Sequence, residues 1–120
     1  MRNKTESEPS DKSFPKQKRL SKKKEISEIF LSGKKIHTAL FNLRYTRNLL
    51  SYDRCAVLVS RRHGPAVTRN RIKRIFREAV RNFCQTQPPF FDIVIQPSFQ
   101  KGFIYTECLH GYEKVRCTLV

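Results

Sequence analysis

Between Thr68 and Phe83 the chain reads TRNRIKRIFREAVRNF, and its chemistry is that of cations in rows. Arg69, Arg71, Lys73, Arg74, Arg77 and Arg81 stand against one acid, Glu78, a net charge of +5. A guanidinium fork matches phosphate oxygens and lies flat on bases, so arginines at this density point to a polyanion. On a helix, Asn70, Arg74, Arg77 and Arg81 share one face at i, i+4, i+7 and i+11. Ile72, Ile75, Phe76, Ala79, Val80 and Phe83 form a continuous apolar stripe on the other. Solvated helices usually mix signs, and acids belong near a helix start. Arginines placed there cost about 0.3–1 kcal/mol each. The pattern therefore calls for a partner, where the bland alternative is a solvated basic face.

The other reactive side chains do not assemble a catalytic set. Outside the N-terminal tail the carboxylates are Glu25, Glu28, Asp53, Glu78, Asp92, Glu107 and Glu113, with no D-x-D or E-x-x-H. A two-metal nuclease needs several converging carboxylates. There is no G-x-S-x-G and no phosphate loop among the 4 glycines. Cys55, Cys84, Cys108 and Cys117 form no C-x-x-C, and His37, His63 and His110 do not join them at finger spacing. They read as buried or incidental thiols.

The elements that must hold these cations belong to one small domain. The 120 residues carry 25 Lys+Arg against 10 Asp+Glu, a net +15 with a pI near 10.2. That is the footprint of a nucleic-acid or anionic-surface binder. No apolar run is long enough to span a membrane, and MRNKTESEPSDKSFPKQK has no apolar signal core. The expected protein is soluble and intracellular. Residues 1–17 read as a disordered polar and basic tail, and 18–120 as the folded domain.

Within it, Lys22 to Leu31 reads as a helix with Ile26, Ile29 and Phe30 on its apolar side and Gly33 as its stop. Leu40 to Thr46 alternates, with Phe41, Leu43 and Tyr45 opposite Asn42, Arg44 and Thr46. Arg54 to Ser60 is apolar on both faces, which predicts a central strand. Pro65 suits the first turn of the arginine helix, which should run to about Cys84 before QTQPP breaks it. Asp92 to Gln96 predicts a short buried strand, and Leu109, Tyr112, Val115 and Leu119 suggest a last helix over 105–119. The class is α+β, an α/β sandwich around a small sheet.

The stretch SRRHGPAVTRNRIKRIFREA closely resembles the signature of the bacterial ribonuclease P protein subunit. The matching positions are Ser60, Arg61, Arg62, Gly64, Ala66, Val67, Arg69, Asn70, Arg71, Lys73 and Arg74. Upstream, RLSKKKEISEIFLSG looks like the family's first helix, with Arg19, Leu20, Phe30 and Gly33 in register; downstream, DIVI looks like its last strand.

The resemblance implies the order α-β-β-β-α-β-α, a mixed sheet and a left-handed β-α-β crossover, against the usual hand. It implies Mg²⁺-dependent endonucleolytic removal of the 5′ leader from precursor transfer RNA. Catalysis and the Mg²⁺ ions would belong to the RNA subunit, with none bound by the protein alone. It assigns Arg61, Arg62, Arg69, Asn70, Arg71, Lys73, Arg74 and Arg77 to the RNA subunit. It assigns Ile26, Phe30, Asn42 and Arg44 to a leader cleft between first helix and sheet. The implied partners are the ribonuclease P RNA and precursor transfer RNA, without membrane or DNA, in the cytoplasm. Three positions depart from the family pattern. Ile26 and Arg44 stand where aromatics are usual, and QPSF follows DIVI where a basic residue is usual, which makes leader binding more electrostatic. The alternatives are a non-catalytic RNA-binding protein, such as a ribosomal protein, and a helix-turn-helix DNA binder.

Overall fold

The computed structural model describes residues 18–83, 87–100 and 102–119. The predicted tail over 1–17, Cys84 and part of QTQPP lie outside them. The elements are α1 (Lys23–Ser32), β1 (Lys34–His37), β2 (Phe41–Arg47), β3 (Arg54–Val57), a 3₁₀ turn (Arg61–His63), α2 (Ala66–Asn82), β4 (Phe91–Pro97) and α3 (Tyr105–Arg116). The four strands form one mixed sheet in the order β1-β2-β4-β3. β1 and β4 each pair antiparallel with β2, and β3 runs parallel to β4. The fold class is α+β, as the sequence predicts.

The alternation in β2 sorts the layers. Phe41, Leu43 and Tyr45 join Cys55, Val57, Phe91, Ile93 and Ile95 on one face. That face is closed by Ile72, Phe76, Ala79 and Val80 of α2 and by Cys108, Tyr112 and Val115 of α3. Phe76 sits at its centre, edge-on to Phe41 and Phe103. The opposite face carries a smaller cluster of Leu20, Ile29, Ala56 and Val94 under α1, flanked by Ile26, Phe30 and Leu58. Both predicted helix stripes are therefore the packed ones. Ile75 and Phe83 lie at the margin, half-buried.

Two expectations change. The strand over 54–60 is predicted central but lies at the sheet edge, and only Arg54–Val57 is strand. Its second apolar face is real, because α2 covers one side and Leu20 and Ala56 pack on the other. Its open edge is capped by a bridge from Arg19 to Cys55, with the Leu20 N–H donating to the Cys55 carbonyl at 2.9 Å. The central, doubly buried strand is β4. In addition, β1 shows no alternation to read: Lys34, Lys35 and His37 are all exposed.

Adjacent residues at the start of β3 tie both helical layers to the sheet. The Arg116 guanidinium donates to Asp53 at 2.7 Å and to the Pro89 carbonyl at 3.0 Å, and lies over the Phe91 ring. Arg54 donates to Asp92 at 2.7 Å and to Glu25 of α1 at 3.2 Å. Breaking a buried pair strands a charge, so Asp53→Ala should cost about 3–5 kcal/mol in denaturant unfolding. Phe76→Ala should cost about 3–5 kcal/mol as a core truncation. Burial pushes the Cys55 thiol up to about 12 and the Cys108 thiol up to about 11. Among the described thiols, alkylation at pH 8 followed by mass mapping should mark exposed Cys117 and spare these two.

Candidate nucleic-acid interface

The entry into α2 is built from a tight turn. Ser60 and His63 cap each other, with the Ser60 N–H donating to His63 Nδ1 at 3.0 Å. The other ring nitrogen, Nε2, donates to the Pro97 carbonyl at 3.0 Å, which fixes the neutral tautomer. Gly64 follows at φ 118°, in the region that side chains avoid. That turn sends the chain into α2 immediately after Pro65. The glycine between the arginine pair and the arginine helix is thus a backbone requirement.

Phe99 completes this corner. The Arg62 guanidinium lies 3.9 Å from its ring centroid, and the His63 ring packs 4.5 Å away. Phe99 belongs to the QPSF segment, where the sequence showed only a missing basic residue. An aromatic that steadies Arg62 occupies that place, and no periodic signal marked it.

Arg61, Arg62, Asn70, Arg71 and Arg74 are exposed; Arg69, Lys73 and Arg77 are half-buried. Among the described residues, none of these seven cations meets a carboxylate; Glu78 pairs with Arg81 instead. Val67, 71 % exposed, adds an apolar patch beside them. These cations lie on the 3₁₀ turn and along α2, on the side of the sheet that α2 and α3 cover.

The second set lies on the opposite face. Asn42 and Arg44 point away from the main core, as the alternation predicts. Arg44 reaches α1 and places its guanidinium 4.6 Å from the Phe30 ring centroid. Its Nε is buried without a hydrogen-bond partner. Phe30 therefore offers a face already covered by a cation. Ile26 packs with the small cluster beneath α1, a core role, and remains half-buried. Asn42 lies one pair further along the strand, opposite Gln96 on β4 and His37 on β1. His37 Nδ1 donates to Asn42 Oδ1. Lys35 stands opposite Arg44. Lys35, His37 and Gln96 thus line the same strip, and the sequence singled out none of them for it.

The Arg54 charge holds the other end of α1 down. The hydrogen bond to Asp92 is the main cause that raises the Arg54 pKa, so this cation is permanent. At the far end Gly33 touches the sheet. A Cβ there would stand 2.9 Å from the Tyr45 carbonyl oxygen, and closer still to that of Ile29.

Among the described residues, no three His, Cys, Asp or Glu side chains converge on a metal-sized site. Glu25, Asp53, Glu78 and Asp92 are engaged by arginines. The described residues do not assemble a Mg²⁺ site.

A family model described as Ribonuclease P matches residues 14–104. The ribonuclease P protein component of Thermotoga maritima is 35% identical over 85 residues, 71% of this chain and 73% of that one. That of Petrotoga mobilis is 36% identical over 99 residues, 78% of this chain and 84% of its own. The solved ribonuclease P protein of Thermotoga maritima superposes with a TM-score of 0.76 and 25% identity, covering 85% of this chain and 97% of that chain. The Staphylococcus aureus protein shares the fold at a TM-score of 0.72, 24% identity, and coverage of 83% and 93%.

The Gly33 contacts yield a prediction for the cleft. Gly33→Ala should push α1 off the sheet, at about 1–3 kcal/mol as overpacking. Unfolding would measure that cost, and the line widths or shifts of Phe30 in NMR spectra should change with it.

Proposed function

Because the chain belongs to the ribonuclease P protein family, and so is a subunit of the ribonuclease P holoenzyme in transfer RNA processing, we propose that its two basic surfaces bind two different RNAs. The observation that carries this reading is their placement on opposite sides of the sheet. The α2 surface, with Arg61, Arg62, Arg69, Asn70, Arg71, Lys73, Arg74 and Arg77, takes the phosphates of the RNA subunit. The cleft of Ile26, Phe30, Asn42 and Arg44 takes the single-stranded 5′ leader of precursor transfer RNA. A ribosomal-protein reading is not favoured, since the matched relatives are ribonuclease P protein components.

The division of labour follows from the side chains. Hydrolysis of a phosphodiester needs metals on the attacking and leaving oxygens. The protein's engaged carboxylates are poor Mg²⁺ ligands, so the Mg²⁺ ions are assigned mainly to the RNA partner. The protein supplies charge that screens the approach of one RNA to another. In the cleft, the outer surface is the Arg44 plane backed by Phe30. A leader base can lie on that plane while its phosphate meets the same cation. No helix among the described residues is long and apolar enough to cross a membrane, and the cytoplasm, where transfer RNA precursors are made in bacteria, is the proposed location.

Three measurements test these roles. RNA-free protein should not cut precursor transfer RNA; a nuclease-free preparation whose cleavage is abolished by one point mutation in this chain would overturn that. Arg71→Gln should weaken RNA-subunit binding and reduce the slope of log K against log salt by about 0.7–0.9, one phosphate contact. Arg44→Ala should shrink the holoenzyme's preference for precursor over mature transfer RNA and leave RNA-subunit affinity nearly intact. Titrations with a five-nucleotide leader read the difference. Equal affinities in the wild type would remove the cleft from leader binding.

A further inference from the structure

The basic residues of α2 are not one set. Arg69, Lys73 and Arg77 repeat at i, i+4 and i+8, a row along one flank. The other flank meets α3, where Asn82 bonds the Tyr105 hydroxyl and Phe83 packs on Tyr112. The Arg69 row therefore looks towards the outer edge of β3. There it meets a segment outside both surfaces described above: Arg19, bridged to Cys55.

Among the described residues, no carboxylate neutralises the cations at this edge. Arg19 Nε and Arg69 Nε are buried without hydrogen-bond partners. Arg77 is half-buried and, among the described residues, in no ion pair. The nearby Cys55 thiol is held neutral by burial, pushed up to about 12, and Asp53 is taken by Arg116. Burial first, and then the Arg19 charge, lowers the Arg77 pKa from its ordinary value. Two like charges brought together without an anion oppose folding. An arrangement with that cost calls for the missing charge to come from outside.

We infer that Arg19 and Arg77, with Arg69 and Lys73 beside them, form a seat for an RNA backbone phosphate at the edge of β3. The inference rests on the reading of α2 as an RNA-binding helix and adds a component from the segment before α1. Arg19 is fixed by its backbone bridge, so its head group is brought to the helix without ordering a long loop. The ligand chemistry is a phosphodiester. It can belong to the RNA subunit or to the bound precursor, because this edge lies between the α2 surface and the α1 side of the sheet.

The test uses Arg19→Gln and Arg77→Gln in full-length protein, titrated against the RNA subunit and, as holoenzyme, against precursor transfer RNA over a range of salt. Each variant should reduce the slope of log K against log salt by about 0.7–0.9 for one of the two RNAs. A fourfold rise in salt then erodes the wild-type advantage about threefold. The RNA that responds identifies the source of the phosphate. The double variant should lose less than the sum of the single losses, since one seat is shared. The melting temperature of the free protein should hold or rise, because a repulsion is relieved. Arg77→Met keeps the apolar stem should Arg77→Gln fold poorly. Slopes unchanged for both RNAs in a folded Arg19→Gln protein would overturn the seat, as would full additivity. Arg71→Gln is the reference: if it too is silent, the α2 reading fails; if it responds and Arg19→Gln does not, only the seat fails.

Discussion

Asp53 and Arg54, adjacent at the start of β3, are the joint on which this molecule turns. Asp53 faces α3 through Arg116 and also accepts the Phe91 N–H at 2.8 Å. Arg54 points to the other face and joins Asp92 to Glu25 of α1. Successive strand residues face opposite ways, so a two-residue step is enough to fasten both layers. The Asp53 and Arg116 side chains are only 11% and 4% exposed. Burying such a pair gains little net free energy over apolar packing, because desolvation offsets the attraction. What it contributes is position: α1 and α3 are each held at one register relative to β4. The cleft under α1 exists in its present shape because Glu25 is held at one end and Gly33 meets the Tyr45 carbonyl at the other.

That joint also explains where the charge goes. A net +15 over 120 residues is a self-repelling load on a compact fold. An ordinary protein would spread its acids over the surface to relieve it. Here Glu25, Asp53 and Asp92 are spent inside, on arginines that brace the layers. Among the described residues, the cations of α2 other than Arg81, those of the 3₁₀ turn and Arg19 at the β3 edge are left without a carboxylate. An RNA partner relieves that strain and releases counterions at the same time, so the fold's electrostatic cost and its affinity have one origin.

The sequence made the fold legible where burial leaves a period. The stripe Ile72, Phe76, Ala79, Val80 and the alternation Phe41, Leu43, Tyr45 are each buried as read. β1 left no trace, since three of its four residues are exposed and its place comes from pairing with β2. The error over β3 has a physical source. Two apolar faces mean two covered faces, and coverage by helices and by Leu20 does not need a strand on both sides. The candidate site was legible by type but not by contact. Asn42 and Arg44 face away from the main core as the alternation suggested, yet Phe99, Lys35, His37 and Gln96 reach their places through tertiary neighbours that no local spacing encodes. Arg77, read on the outer face with Arg74, is half-buried instead and lies near Cys55 of β3 and Arg19, neighbours that helix spacing alone does not show.

The family resemblance leads to an aromatic at the position of Arg44, and a guanidinium there would change the physics of the proposed leader cleft more than its shape. An aromatic wall binds bases through dispersion and is nearly indifferent to salt, whereas a guanidinium stacked on Phe30 has its attraction screened. Contact with the ring beneath limits the guanidinium's freedom, so less rotamer entropy would be lost when a base settles on it. The Nε left without a partner is turned inward, so a leader bound as proposed above would meet the outer face and the remaining N–H groups. Stacking and charge are thereby combined in one side chain, where a purely aromatic wall would need a second residue for the phosphate. Lys35, opposite Arg44 on the edge strand, extends the cationic strip along the path an extended strand would take. A leader held in the proposed way would be bound with little regard to its sequence, since every base has a face and every nucleotide a phosphate.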